Sequence, residues 1–119
     1  MESFSFSSFQ PYLLPAAVAA FLLFRYLRGR KVKSELPRLI KEGAIFVDVR
    51  TPGEFSAGAR PGSLNIPLDS IGKRAAELDK EKTIVLSCAS GARSGMALRL
   101  LKQQGFKKVL NAGSWQNTL

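Results

Sequence analysis

The sequence predicts an α/β domain with a mostly parallel β-sheet flanked by helices. Three short runs, at residues 44–49, 83–87 and 107–111, are predicted to be strands, and the first two are almost wholly apolar. Such runs are typical of strands that are buried on both faces. Segments with helical spacing of apolar residues lie before and between them. Strands that alternate with helices pair in parallel through right-handed crossovers.

Two helices are predicted beside the first strand. Leu36, Leu39 and Ile40 are spaced along one helical face just before it. After it, Pro52 stands near the start of a second, short helix. The segment 60–68 that follows is punctuated by proline and glycine, so it is predicted to be a loop.

Two further helices are predicted on either side of the second strand. The first is capped by Asp69 or Ser70 and runs to about Leu78. The second extends from Arg93 to Gln104, and Gly105 ends it. Its predicted apolar face consists of Met96, Ala97, Leu100 and Leu101. A very short last helix is predicted from Ser114 onward.

An uncharged segment, Ser3 to Phe24, precedes this domain, and its second half is strongly apolar. It is followed directly by a basic flank that contains no acidic residue: Arg25, Arg28, Arg30, Lys31 and Lys33. A helix from about residue 9 to residue 27 would be roughly 28 Å long, close to the thickness of a bilayer core. We therefore expect a transmembrane helix at about 9–27, a basic linker at 28–34 and a globular domain at 35–119.

The charge around the apolar segment favours a membrane anchor. A secretory signal peptide carries positive charge before its apolar run, where this chain has only Glu2, and a buried core helix needs no basic flank. Because lysine and arginine stay on the cytoplasmic side, we expect the N-terminus outside and the domain in the cytoplasm. Membrane lipid is then a partner of this helix and of residues 25–33, although those residues also suit a solvated linker.

The composition restricts the chemistry of the chain. It has no histidine, which excludes His-based metal sites, Ser-His-Asp triads and Cys-His dyads. Its one cysteine, Cys88, cannot form an intramolecular disulfide. We expect no cofactor and no resident metal. Much of the net charge of +9 lies in the basic flank, and no nucleic-acid partner is expected.

Cys88 follows the second predicted strand, at the sheet edge where open α/β sheets bind ligands. The next residues are small, and their amides can curl around one atom: Ala89, Ser90, Gly91 and Ala92. The helix that begins near Arg93 directs free N–H groups at the same point, and Arg93 adds a positive charge. Such surroundings lower the pKa of a thiol. Cys88 is therefore predicted to be a nucleophile that needs no histidine; the alternative is a buried core thiol.

The spacing from Cys88 to Arg93 separates two classes of cysteine site. Loops of the form Cys-x5-Arg, as in protein tyrosine phosphatases, hold a tetrahedral phosphate. Here only four residues lie between the cysteine and the arginine. The shorter loop forms a tighter cradle, which suits a single sulfur atom better than a phosphate group.

Three blocks in order resemble the rhodanese family of sulfurtransferases, and the resemblance covers residues 35–119. They are D-V-R-T-P-G-E-F-S-A-G at 48–58, G-A-R-P-G-S-L-N-I-P at 58–67, and the loop from Cys88 to Arg93. The second block departs from the family, because Ala59 replaces a histidine found in many members and Arg60 replaces an aliphatic residue.

The resemblance implies a two-step transfer of sulfane sulfur. Cys88 would take the outer sulfur of thiosulfate or of a persulfide donor, and the loop amides from Ala89 to Arg93 would hold the resulting persulfide. A thiol or cyanide would then accept the sulfur. Two other functions stay open: a non-catalytic rhodanese-like binding or sulfur-relay module at the membrane, and a cysteine phosphatase or arsenate reductase, which the loop length disfavours.

Several charged residues have two interpretations each. Asp48 could act as a general base, but an aspartate at a strand end more often bonds backbone N–H groups or an arginine. Arg50 could draw anions toward the site or lie on the surface. Arg93 could bind substrate or bond a nearby carboxylate. Glu54 is expected to be a first-turn helix acid or an ion-pair partner.

Overall fold

Four parallel strands form one sheet in the computed structural model, which describes residues 10–119. In sheet order they are β2 (Leu64–Asn65), β1 (Ile45–Asp48), β3 (Ile84–Cys88) and β4 (Val109–Ser114). The predicted parallel sheet is confirmed. Strand β2 lies inside the segment predicted to be a loop, because two residues are too few to show a periodic pattern.

Four α-helices accompany these strands in the described residues: α1 (Gln10–Lys41), α2 (Pro52–Ala57), α3 (Leu68–Arg74) and α4 (Ala92–Gln103). Short 3₁₀ turns follow α3, at Ala75–Glu77, and β4, at Trp115–Thr118. The last of these is the very short terminal helix that the sequence predicts.

The starts of α2 and α3 are built differently. The Thr51 hydroxyl caps α2 by accepting from the Glu54 N–H, and the Glu54 carboxylate accepts from the Thr51 N–H in return. Helix α3 instead starts at Leu68, after Pro67, with no side-chain cap. The prediction that Asp69 or Ser70 caps this helix is therefore wrong, since both residues lie in its first turn.

Helix α1 is continuous over 32 residues, so residues 28–34 are helical instead of forming an irregular linker. Arginine and lysine are good helix formers, and Val32 gives this stretch a buried side chain that continues the face of Leu36 and Leu39. Ile40, predicted to share that face, is 52% exposed. The start of the predicted transmembrane helix, residue 9, lies outside the described residues.

The sheet is covered on both faces. The C-terminal half of α1 packs on one face, where its side chains form an apolar cluster with the strands: Val32, Leu36, Leu39, Phe46, Val85 and Ala112. Helices α3 and α4 pack on the other face through Ile71, Ala97 and Leu101. The buried face of α4 differs from the predicted one. Ser94, Ala97 and Leu101 are buried, whereas Met96 is 54% exposed.

The N-terminal half of α1 projects away from the sheet. Among the described residues, α1 is the one helix long and apolar enough to cross a membrane, and only 6% of its apolar stretch is buried. Large apolar side chains such as Leu14, Leu23 and Phe24 are exposed along it. The low burial distinguishes this stretch from the core helix of a soluble domain, which also passes a test of length and composition.

Candidate active site

Cys88 ends β3 at the carboxyl edge of the sheet, and its residue is only 1% exposed. The backbone N–H of Gly91 donates to Cys88 Sγ at 2.9 Å, and the Ser94 Oγ lies 3.3 Å from the same sulfur. Gly91 turns the loop back with a φ of +102°, and a Cβ there would lie 3.2 Å from the Cα of Gly113. Glycine is therefore required at the point where the loop amide meets the sulfur.

These hydrogen bonds decide the direction in which the pKa of Cys88 is shifted. Burial raises the pKa of the thiol, but hydrogen bonds from the Ser94 side chain and from the backbone N–H groups of Ser94, Gly91 and Ser90 outweigh it. The pKa of Cys88 is therefore lowered. The thiolate is stabilised by donors that are already in place before any substrate arrives.

The residues of the loop differ in their exposure to solvent. Gly91 is buried, whereas Ala89, Ser90 and Ala92 are exposed, so the loop presents small side chains to solvent above a buried sulfur. The predicted binding residues thus lie around Cys88.

Ser94 and Asn111 are two residues of the site that sequence reasoning missed. The Ser94 Oγ lies 2.6 Å from Asn111 Oδ1 and 3.3 Å from Cys88 Sγ, so its single proton can turn from the amide oxygen to the sulfur when Cys88 is ionised. Asn111 Nδ2 donates to the Gly91 carbonyl at 3.1 Å. The Gly113 N–H also donates to Asn111 Oδ1, at 2.9 Å, which fixes the orientation of the amide. Asn111 therefore ties β4 to the Cys88 loop. Ser94 lies on the same helical face as the buried Ala97, and this spacing was the signal that could have found it.

Arg93 is directed at a carboxylate. Its Nη1 and Nη2 donate to Glu54 Oε1 and Oε2 at 2.6 and 2.9 Å. Arg93 and the Thr51 N–H lower the pKa of Glu54 to about 2, so the carboxylate stays charged through the neutral range. Arg93 was predicted either to bind substrate or to bond a carboxylate, and in the structure it bonds the Glu54 carboxylate. The pair ties the first turn of α4 to the first turn of α2.

Asp48 and Arg50 form a buried ion pair beneath the site. Arg50 Nη2 donates to Asp48 Oδ2 at 2.7 Å, and the two side chains are only 6% and 1% exposed. Arg50 Nη2 also donates to the Gly58 carbonyl, and its guanidinium lies 4.9 Å from the centre of the Trp115 ring. Asp48 thus bonds an arginine, which is the structural role that the sequence favours for an aspartate at a strand end. A surface role for Arg50 is wrong, because the end of β1 and Trp115 enclose it.

Arg60, which departs from the family pattern, contacts the C-terminal turn. Its guanidinium donates to the Thr118 carbonyl and lies 4.0 Å from the centre of the Phe46 ring. An aliphatic residue could fill the space over Phe46 but could not bond that carbonyl. The neighbouring Ala59 makes no side-chain hydrogen bond.

Replacing Ser94 with alanine is expected to raise the pKa of Cys88, because it removes a side-chain hydrogen bond that stabilises the thiolate. Less thiolate then exists at neutral pH, so alkylation of Cys88 by iodoacetamide should slow several-fold there. At a pH well above the Cys88 pKa of both proteins, the thiol is ionised in each, and the two alkylation rates should converge. The measurement is the alkylation rate as a function of pH.

Ser90→Ala is the matched control, since only the backbone N–H of Ser90 contributes to the pKa of Cys88. Its profile should coincide with that of the unsubstituted protein. A Ser94→Ala profile that also coincides would show that the hydroxyl does not stabilise the thiolate.

The fold and the site together define a small α/β domain with a cysteine cradled by backbone amides at the carboxyl edge of a parallel sheet. The sequence profile of the family described as "Rhodanese-like domain" matches residues 32–117. The chain belongs to this family.

Curated relatives carry names from sulfur chemistry. A "Sulfurtransferase" of Allochromatium vinosum is 43% identical over 70 residues, which cover 59% of this chain and 65% of that protein. The "Putative sulfur carrier protein YrkF" of Bacillus subtilis is 46% identical over 70 residues, 59% of this chain and 38% of that protein. "Thiosulfate sulfurtransferase PspE" of Escherichia coli is 36% identical over 70 residues, 57% of this chain and 67% of that protein. The chain thus spans less than two thirds of the first two relatives.

Solved structures show the same fold. A rhodanese with anions from E. coli matches with a TM-score of 0.59 and 33% identity, over 62% of this chain and 89% of that one. The human single-domain sulfurtransferase TSTD1 matches with a TM-score of 0.62 and 28% identity, over 71% of this chain and 88% of that one. The predicted rhodanese-like fold is confirmed.

Proposed function

We propose that this protein is a membrane-tethered sulfurtransferase that carries sulfane sulfur on Cys88. The observation that carries the proposal is the 2.9 Å hydrogen bond from the Gly91 N–H to Cys88 Sγ, within a loop whose donors lower the pKa of the thiol. The chain has no histidine that could remove the thiol proton. The donors instead stabilise the thiolate, so that it forms without a general base. The names of the relatives support sulfur as the group that is moved.

In the first step the Cys88 thiolate attacks the outer sulfur of thiosulfate. A bond forms between Sγ and that sulfur, and the S–S bond of thiosulfate breaks, with its electron pair leaving on sulfite. The product is an anionic persulfide. Backbone N–H groups that stabilise the thiolate are placed to stabilise this negative sulfur as well, in a preorganised site.

In the second step an acceptor attacks the outer sulfur of the persulfide. With cyanide a C–S bond forms, the S–S bond breaks, and thiocyanate leaves while the Cys88 thiolate is restored. With a thiolate acceptor the product is a new persulfide on the acceptor. A persulfide can serve as donor in the first step by the same exchange, with a thiolate as the leaving group.

The charged pairs around the loop give it a rigid frame. Arg93 and Glu54 hold α4 to α2, and Asp48 and Arg50 lock the end of β1 beside it. Asn111 anchors the loop to β4. A fixed frame keeps the loop amides directed at the sulfur without reorganisation during transfer.

A second candidate function is a sulfur-relay module that loads sulfur but turns over poorly. The likeness to a relative named as a putative sulfur carrier favours it. Both functions use the same Cys88 persulfide, and they differ in whether a small acceptor discharges it repeatedly.

Steady-state turnover of the full chain in mild detergent separates these functions. With thiosulfate and cyanide, the sulfurtransferase produces thiocyanate over many cycles. A relay module accumulates the Cys88 persulfide and forms thiocyanate only very slowly, because the small acceptor does not discharge it. Hydrolysis of a phosphate ester, with no reaction of thiosulfate, would contradict both and indicate the phosphatase class.

We further propose that α1 anchors the protein with its N-terminus outside and the rhodanese-like domain in the cytoplasm. The exposed apolar half of α1 and the basic flank of Arg25–Lys33 support this orientation. Lipid contacts the exposed apolar side chains, and the exposed basic residues Arg30, Lys31 and Lys33 lie at the anionic head groups.

Ser3→Cys in a Cys88→Ser background tests this orientation. We expect a membrane-impermeant maleimide to label the new cysteine on intact cells. Labelling only after permeabilisation would contradict an outside N-terminus. A chain recovered in the soluble fraction would contradict the anchor itself.

A further inference from the structure

Arg28 of α1 lies against the loop that follows Cys88. Its Nη1 is 3.2 Å from the position that a Cβ on Gly91 would occupy, and its Cδ is 3.4 Å from the equivalent position on Gly113. Gly91 is the residue whose backbone N–H donates to Cys88 Sγ. The helix that precedes the domain therefore brings a guanidinium to the loop that holds the sulfur.

The close packing of α1 fixes this position. Gly29 is buried, and a Cβ there would lie 2.8 Å from Asn117 Oδ1, so the helix backbone contacts the C-terminal turn directly. One turn later Val32 enters the core beneath the sheet. Together these contacts set the rotation of α1, and the rotation directs Arg28 toward Gly91.

Arg28 also differs from the other arginines near the site in its ion pairing. Arg93 is paired with Glu54, and Arg50 is paired with Asp48. Within residues 10–119, no ion pair involves Arg28, whose guanidinium lies 4.5 Å from the centre of the Phe24 ring. The Arg28 guanidinium thus keeps its donors for an anion.

There is room for a ligand beside Arg28. A groove of about 360 Å³ runs between α1 and β4, and its charged lining residues are Arg28, Lys31 and Glu35. Asn111 also lines this groove, and its side-chain amide donates to the Gly91 carbonyl, so one lining residue contacts the loop.

We propose that Arg28 is an anion-binding residue of this site, and that it selects small anionic sulfur donors over uncharged ones. Its planar fork of donors binds two oxygens of a sulfonate-like group, such as the SO₃ end of thiosulfate, while Cys88 takes the outer sulfur. The choice of substrate rests on the proposed function. The helix then both tethers the protein and completes the site.

The test compares an anionic and an uncharged donor on the full chain in detergent, with cyanide as the acceptor throughout. For Arg28→Gln, kcat/KM for thiosulfate should fall about tenfold, mainly through KM, as expected for loss of one charge-assisted contact. With dimethyl trisulfide as donor, kcat/KM should change less than about twofold. Arg30→Gln, an exposed arginine on the same helix, is the control and should behave as the unsubstituted protein.

A second readout does not depend on sulfur transfer. Iodoacetate and iodoacetamide both alkylate Cys88, but only iodoacetate is an anion. Arg28→Gln should lower the ratio of their rates several-fold, and Arg28→Lys, which keeps the charge, should restore most of it. If thiosulfate is never turned over, the proposed function fails while this ratio still tests Arg28.

Equal losses with both donors and an unchanged alkylation ratio would overturn the proposal, because Arg28 would then only support the loop. Near-UV circular dichroism of Arg28→Gln checks that the fold is retained. If that variant does not fold, the donor comparison and the alkylation ratio of Arg28→Lys decide: a ratio far below that of the unsubstituted protein would contradict a role for the charge.

Discussion

Replacing Cys88 with serine is expected to lower thiocyanate formation from thiosulfate by at least about a thousandfold, because a serine hydroxyl is not ionised at neutral pH and is a far weaker nucleophile. The chain has no second cysteine that could take over the sulfur. The measurement is kcat/KM for thiosulfate with cyanide as acceptor. Ser90→Ala, which removes an exposed side chain from the same loop, should retain nearly full activity.

The serine variant should keep its fold, since a serine oxygen is smaller than sulfur and still accepts the Gly91 N–H. Its near-UV circular dichroism should match that of the unsubstituted protein. Retained turnover in a folded Cys88→Ser protein would show that sulfur transfer does not pass through this residue.

Asp48→Asn is expected to lower the free energy of unfolding by about 3–5 kcal/mol, the usual cost of removing one partner of a buried ion pair. The Arg50 guanidinium would remain buried with its charge uncompensated, and the new amide NH₂ would face a guanidinium donor. Urea unfolding of the full chain in detergent, followed by the fluorescence of Trp115, measures the loss. Trp115 is a suitable probe because it stacks on Arg50.

Glu77→Gln is the matched control, because it breaks the exposed pair between Arg74 and Glu77. Exposed pairs contribute little, so its unfolding midpoint should stay within experimental error. A loss below about 1 kcal/mol in Asp48→Asn would mean that the buried pair does not hold the frame of the site.

The strands and the Cys88 loop were readable from the sequence because their signals are local. Two apolar runs predict the central strands, and small residues after Cys88 predict a loop whose amides approach one atom. The short strand Leu64–Asn65 carries no such signal. It pairs with the last two residues of β1, Val47 and Asp48, which are distant in sequence.

The partners of the loop were not readable because they are distant in sequence. Glu54 meets Arg93 across 39 positions, and Asn111 meets Gly91 across 20. The sequence identified Arg93 as the cation of the site, but only the folded chain shows that Glu54 pairs with it. The sequence places Arg28 in a basic flank beside the membrane. Its contact with Gly91 cannot be read from the sequence, because it depends on how α1 packs against the sheet.

The packing of α1 also affects how the protein should be studied. The sequence places the start of the globular domain at residue 35, whereas the family match begins at residue 32, inside α1. A fragment cut at residue 35 would lose Val32 from the core and the close contact of Gly29 with Asn117. The experiments described above therefore use the full chain.

The intact mass of the full chain after incubation with thiosulfate, without an acceptor, tests the central claim most directly. We expect the mass to rise by one sulfur atom, the added sulfur to lie on the peptide that contains Cys88, and cyanide to remove it. No added sulfur on the unsubstituted protein, or an equal gain in Cys88→Ser, would contradict the claim that Cys88 carries the transferred sulfur.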